Sequence, residues 1–348
     1  MPPQKIENIN WINNIRLVAL YAVIILHCSA PLLMQFGKVP QTDWWAADIL
    51  NALSRFGVPV FVMVTGALLL HREYDTVDFL KKRITRVVVP FLFWSLIYVW
   101  YSWHNEEISF GSDVWVNIKQ VLHLLKNGSS YHLWYVYMLI GLYFFIPVIS
   151  KYVRNSSEND ILYYLIVWFG VMMLSQPYLM RFNPSVDMHY FAGYAGYLVL
   201  GHYLAFKDFT GKNLRLWMAL LFIFSVALIA VGTWFIIVYT KLPGTMLYEP
   251  VNPAVLMLAT SAFIWFKLTI PKVSPIIIRI RDFTGTYNYG IYLGHALVLY
   301  FLDDPFGVSF KMGMPILSIP FTALVCFMIT LALVWIINKI PFGKWVSG

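Results

Sequence analysis

A bundle of about ten membrane-spanning α-helices, with both ends of the chain in the cytoplasm, is the all-α fold class this sequence predicts. Three observations lead there. The 348 residues are 59% apolar and only 12% charged, about half the charged share of an ordinary soluble domain. The apolar residues fall in repeated runs of the length a helix needs to cross hydrocarbon, roughly 17–25 residues. The 25 Lys and Arg residues are shared unevenly among the segments between those runs, as topology signals are. Alternating segments of about ten residues, the mark of a closed barrel, are absent.

The runs are 15–34, 45–70, 87–103, 133–150, 161–180, 190–206, 216–239, 251–268, 287–302 and 316–338. With the N-terminus inside, the cytoplasmic segments are 1–14, 71–86, 151–160, 207–215, 267–286 and 339–348. They hold 17 of the 25 basic residues, the outer segments hold 6, and Arg16 and Arg55 lie within runs. That asymmetry sets the orientation. One lysine precedes the first run and no small-residue cleavage site follows it, so the run reads as a retained span. The chain 1–348 reads as a single integral-membrane domain. Its net charge of +8 is scattered over short loops, which argues against a nucleic-acid partner. Cys28 and Cys326 both sit in apolar runs and supply neither a disulfide framework nor a zinc spacing.

The first run carries two residues that a lipid-facing helix should not have. Arg16 and His27 are eleven residues apart, about 1100° of helical rotation, so they share a face. The same interval climbs ~16 Å, half of a ~30 Å hydrocarbon core. Arg16 fits a cytoplasmic anchor whose stem snorkels to the surface, or a site group. An intramembrane histidine fits a helix–helix hydrogen bond, or a functional site whose neutral imidazole takes a proton from a hydroxyl.

In the second run Arg55 needs a partner, and Asp48, seven residues earlier, shares its face; an internal ion pair is expected. Arg83 and Arg86, three apart at the start of the third run, are neighbours on one face. Their planar forks suit phosphate, and their position also suits topology anchoring. Pro90 kinks or starts the helix that follows. The longest outer segment, 104–132, has room for an interfacial helix over Ile108–Leu125. Trp44, Trp45, Trp103 and Trp115 fit an interfacial aromatic belt, which also covers the Tyr131–Tyr135 stretch except for His132. In the ninth run Tyr289, Tyr292 and His295 recur every three residues and share a face, fit for packing or for lining an acyl or sugar pocket. Asp187, His189, Glu249, Asp303 and Asp304 fall on the outer side, mostly as solvated groups. No internal repeat is evident, which disfavours an inverted-repeat exporter or flippase for a lipid-linked saccharide. An assembly scaffold is the third class.

Taken in order, these pieces resemble the membrane-bound acyltransferase family 3, over essentially the whole chain. The resemblance rests on Arg16 and His27 with ten residues between them, on Phe61-Val62-Met63-Val64-Thr65-Gly66, and on Arg83-x-x-Arg86 ahead of Pro90. It rests also on His132-Leu133-Trp134 and on Tyr289-Gly290-Ile291-Tyr292-Leu293-x-His295. The stretch Gly193–Gly201 looks like the branch that O-acetylates enterobacterial common antigen. At Gly294 many members carry a bulkier apolar residue.

The resemblance implies transfer of an acyl group, usually acetyl, from cytoplasmic acyl-CoA to a hydroxyl of a surface or lipid-linked glycan. The setting would be a bacterial cytoplasmic membrane, in exopolysaccharide or O-antigen biosynthesis. Acetyl-CoA is then the donor substrate, with succinyl as the alternative acyl group, and no metal is called for. Polyanionic CoA should stay at the basic inner face near Arg83, Arg86 and Arg16 while its uncharged arm carries the thioester up the Arg16–His27 face. His27 is assigned as general base, and Arg16, lower on the same face, as the second catalytic residue. Tyr289, Tyr292, His295, His132 and Trp134 would line the substrate site, one of the first three meeting the developing oxyanion.

Overall fold

The computed structural model of the protein describes residues 10–182, 193–240, 242, 244–269 and 274–348. Asp187 and His189 lie outside them. Among the described residues the secondary structure is helical throughout: α1 (Asn10–Leu33), α2 (Gln41–Ser54), α3 (Gly57–Leu69), α4 (Thr76–His104), α5 (Val114–Asn127), α6 (Trp134–Asn155), α7 (Glu158–Leu174), α8 (Ala195–Phe206), α9 (Leu214–Tyr239), α10 (Pro253–Leu268), α11 (Pro275–Thr286), α12 (Asn288–Asp303), α13 (Pro315–Lys339) and α14 (Gly343–Val346). Each expected run overlaps one helix, or two for 45–70; within the run 161–180, α7 ends at Leu174 and a 3₁₀ turn at Pro177–Phe182 follows it. Among the described residues seven segments, against about ten expected, are long and apolar enough to cross a membrane: α1, α2 with α3, α4, α6, α9, α10 with the short turn before it, and α13; α7, α8 and α12 are shorter. Large apolar side chains stand exposed along them, among them Ile223, Phe224, Val231 and Phe235 of α9. Such a surface belongs in lipid.

The run 45–70 breaks at Arg55 and Phe56, and the reason is local. Pro59 has no N–H to give the carbonyl four residues back, that of Arg55, so the hydrogen-bond ladder is interrupted there. Pro90, by contrast, lies well inside α4, which starts at Thr76 with Asp75 as its cap (Asp78 N–H to Asp75 Oδ1, 2.9 Å). The interfacial helix starts at Val114 and not Ile108. Asp113 caps it by accepting from the N–H groups of Trp115 and Val116, and Val114, Trp115, Ile118 and Leu122 are exposed along it.

The chain forms two compact units. The first comprises Met1–Glu73, Ile146–Gly285 and Ser309–Ala323. Within it α3 crosses α8 backbone to backbone. A Cβ at Gly66 would collide with the Leu198 main chain, and one at Gly201 with the Met63 main chain. Small residues permit this approach, and close contact is what holds helices together where lipid removes the hydrophobic drive. Asn252 caps α10 by accepting from Ala254 N–H (2.9 Å) and gives its amide to Gln176 Oε1 (2.8 Å). Arg281 is buried and ties α11 to the first turn of α1 through Asn10 Oδ1 (2.9 Å) and Asn14 Oδ1 (3.1 Å).

The second unit comprises Tyr74–Phe145, Thr286–Val308 and Leu324–Gly348. Its centre is α12 against α4. Tyr98, fully buried, gives its hydroxyl hydrogen to the Leu293 carbonyl (2.7 Å) and accepts from Leu297 N–H (3.1 Å). Gly290 lets the Ser347 backbone at the end of α14 lie against α12.

Candidate active site

In the first unit, Arg16 and His27 stand on one unbroken helix. The row they share, Arg16, Leu20, Val23 and His27, faces protein: Leu20 and Val23 are buried, and Arg16 and His27 are half-buried. Val18, off that row, is exposed. Neither group therefore points straight into lipid.

The backbone around His27 departs from a regular ladder. Pro31 follows it by four residues inside α1 and has no N–H to offer the His27 carbonyl. Side chains steady this turn. Ser29 Oγ donates to the Leu26 carbonyl (3.0 Å), and Asn51 Nδ2 on α2 donates to the same carbonyl (3.2 Å) and to Ser29 Oγ (2.9 Å).

Asn51 is in turn held by Arg55, whose Nε donates to Asn51 Oδ1 at 2.8 Å. The ion pair expected between Arg55 and Asp48 does not form. Tyr248, just ahead of α10, stands between them: its phenol donates to Asp48 Oδ1, its carbonyl accepts from Arg55 Nη1 (3.2 Å), and its ring lies 4.4 Å from the guanidinium carbon. Helical spacing placed the two charges on one face correctly, but a residue some 200 positions away took up both partners.

In the second unit the structure gathers three of the expected substrate-site residues. The rings of His132 and His295 are 4.9 Å apart, and those of His132 and Tyr292 5.6 Å. His132 is 1% exposed, whereas its neighbours Tyr131 and Trp134 are exposed. Trp134 is 42% exposed, and its ring meets that of buried Tyr135 (6.3 Å), which in turn lies 5.2 Å from Tyr292.

The hydrogen bonds define tautomers, because a carbonyl can only accept. His132 Nε2 meets the Leu293 carbonyl (3.2 Å) and so carries its proton, leaving Nδ1 to face Ser130 Oγ (3.2 Å). His295 Nδ1 donates to the Tyr292 carbonyl (2.6 Å). Tyr292 donates to the His132 carbonyl, and Tyr289, half-buried, to the Val87 carbonyl (2.9 Å). Each of the three groups expected to meet an oxyanion thus gives a hydrogen to the main chain.

Also in this unit, Arg83 is half-buried on α4 with its guanidinium 5.9 Å from the Phe79 ring, and Arg86 is exposed one turn later. Neither has a carboxylate partner among the described residues, and Lys81 and Lys82 are exposed beside them.

Comparison with known families decides what kind of protein carries these groups. The model of the acyltransferase 3 family, described as an acyltransferase domain, matches residues 9–339. The chain belongs to that family. It is thus a multi-pass membrane protein of an acyltransferase family. A curated relative, the succinoglycan biosynthesis protein ExoH of Rhizobium meliloti (strain 1021), is 28% identical over 110 residues, covering 29% of each chain. The similarity thus spans under a third of that relative's length. No solved structure matches.

For this acyltransferase, the glycine at 294 has a packing explanation. A Cβ there would come 2.6 Å from Trp94 Cη2, and Trp94 is 1% exposed with no room to retreat. Gly294 and Trp94 therefore work as a pair. Gly294→Leu should destabilise the protein by about 1–3 kcal/mol, as overpacking does, and adding Trp94→Leu should restore most of that. Thermal unfolding of the two variants in detergent checks this; equal loss in single and double variants would refute the pairing.

Ser29, Asn51, Tyr248 and Trp94 were not picked out from the sequence. Pro31, four residues after His27, was the available signal for the first two. Tyr248 and Trp94 had none, since ordinary aromatic residues in apolar surroundings announce no partner.

Proposed function

We propose that this acyltransferase moves an acetyl group from cytoplasmic acetyl-CoA to a hydroxyl of a surface or lipid-linked glycan, in a bacterial cytoplasmic membrane with both termini inside. The observation that carries the reading is the Arg16–His27 row, turned toward protein along a helix long enough to span the bilayer. A thioester arm can follow such a row while its nucleotide stays in water. The name of the relative ExoH, which places it in succinoglycan biosynthesis, supports a glycan as acceptor.

The chemistry is then as follows. CoA phosphates bind Arg83 and Arg86 by charge-assisted hydrogen bonds. The acceptor hydroxyl attacks the thioester carbonyl as His27 takes its proton. The tetrahedral adduct collapses, the C–S bond breaks, and the CoA thiolate recovers the proton from the His27 imidazolium. His132, Tyr292 and His295, residues of the second unit, are assigned to substrate contact.

Three measurements test this. Vesicles holding the protein should consume labelled acetyl-CoA when a glycan acceptor is supplied, and disruption of the gene should remove the ester from the glycan while leaving export intact. Loss of export instead would favour a flippase. Arg83→Ala with Arg86→Ala should raise KM for acetyl-CoA by about 10-fold or more, the scale of a lost hydrogen bond to a charged group, with KM for the glycan little changed. An unaltered donor KM would reduce both arginines to topology anchors.

A further inference from the structure

Acyl transfer needs hydrogen-bond donors aimed where negative charge develops on the thioester oxygen. The candidates on α12 give hydrogens to backbone carbonyls, as described above. Another donor has the required properties. We propose that Arg55 is a catalytic residue of this enzyme, the electrophile that holds the oxyanion opposite His27. This rests on the acyl-transfer reading above and adds a residue and a role to it.

The first support is register. Trp44 Nε1 on α2 donates to the Leu33 carbonyl of α1 (2.9 Å), Asn51 reaches Leu26 and Ser29, and Gly57 lies against Ala19 and Val23. Numbers rise on α2–α3 as they fall on α1, so the two run antiparallel. Arg55 starts opposite the stretch between Ala19 and Leu26, and its side chain reaches back one turn to Asn51. That brings its guanidinium to the level of the Leu26–Ser29 turn, where His27 sits. Cation and imidazole share one depth on neighbouring helices, and both are only half-buried.

The second is donor capacity. A guanidinium has five N–H groups in a fixed plane. Arg55 gives one to Asn51 Oδ1 and one to the Tyr248 carbonyl; the other three have no acceptor among the described residues. The Tyr248 ring beneath, 4.4 Å from the guanidinium carbon, fixes the plane. The third is charge. Asp48 and Glu249 act on the guanidinium through space, but neither carboxylate takes a hydrogen bond from it, and Asp48 Oδ1 accepts from the Tyr248 phenol instead. A fixed cation with open donors, at the depth of a general base, is what a developing oxyanion requires, and preorganisation spares reorganisation in the transition state.

The test uses the full-length protein in lipid nanodiscs with acetyl-CoA and glycan. Arg55→Ala should lower kcat by about 10²–10³-fold, the cost of removing an oxyanion donor, while KM for donor and acceptor moves only a few-fold. Arg55→Lys keeps the charge, guards against a folding defect, and should recover part of the loss. The deciding readout is the infrared carbonyl band of ¹³C-thioester-labelled acetyl-CoA bound to His27→Ala protein, which cannot turn it over. The band should lie below that of free acetyl-CoA and return toward it in the His27→Ala, Arg55→Ala double variant. A band insensitive to Arg55, or a normal kcat in Arg55→Ala or Arg55→Lys, would overturn the role of Arg55 and leave the acyltransferase reading standing. Failure of the wild-type protein to bind or consume acetyl-CoA would instead remove that reading, and this proposal with it.

Discussion

His27→Ala should leave the protein inserted and folded but reduce acetyl transfer by about 10²–10⁴-fold, the contribution of a positioned general base. The expectation of intact folding comes from the site itself. His27 is half-buried and its immediate neighbours Ile24, Ile25 and Cys28 supply the buried surface of that turn. The turn is clamped by backbone and by Asn51 and Ser29, so removing the imidazole leaves those bonds in place. Transfer assayed in inverted vesicles, normalised to protein recovered from the membrane, is the measurement. Normal turnover would end the assignment of His27, and a protein lost from the membrane would show that the ring serves packing.

The largest effect on stability should come from Gly66→Leu. A Cβ at 66 falls on the main chain of Leu198, which cannot rotate away as a side-chain tip could. The α3–α8 crossing would have to open along its length, losing also the matching contact of Gly201 with Met63. The cost should reach or exceed the upper end of the ~1–3 kcal/mol typical of overpacking. At the marginal stability of folded proteins, ~5–15 kcal/mol, that is enough to lower yield and thermal midpoint sharply. Gly141→Leu, where a Cβ meets nothing within 4 Å, is the control. Equal midpoints in the two variants would mean that the crossing bears no such constraint.

What could be read from the sequence was what depends on local geometry. Length and apolarity mark the helical runs, because a bilayer imposes both on any single segment. A rotation of about 100° per residue puts Arg16 with His27 and Tyr292 with His295 on common faces before any packing is known. Even the break at Arg55 was written locally, in Pro59, though the run 45–70 was read as one piece. The family followed from the order of such local signals.

Only the tertiary structure decided how donors and acceptors were shared. Arg55 and Asp48 were expected to satisfy each other, yet Tyr248 satisfies parts of both. His132 and His295 lie 163 positions apart in sequence and meet ring to ring. A buried polar group takes whichever partner packing brings within about 3 Å, and that partner can come from any helix. Periodicity along one segment carries no information about the segment it packs against.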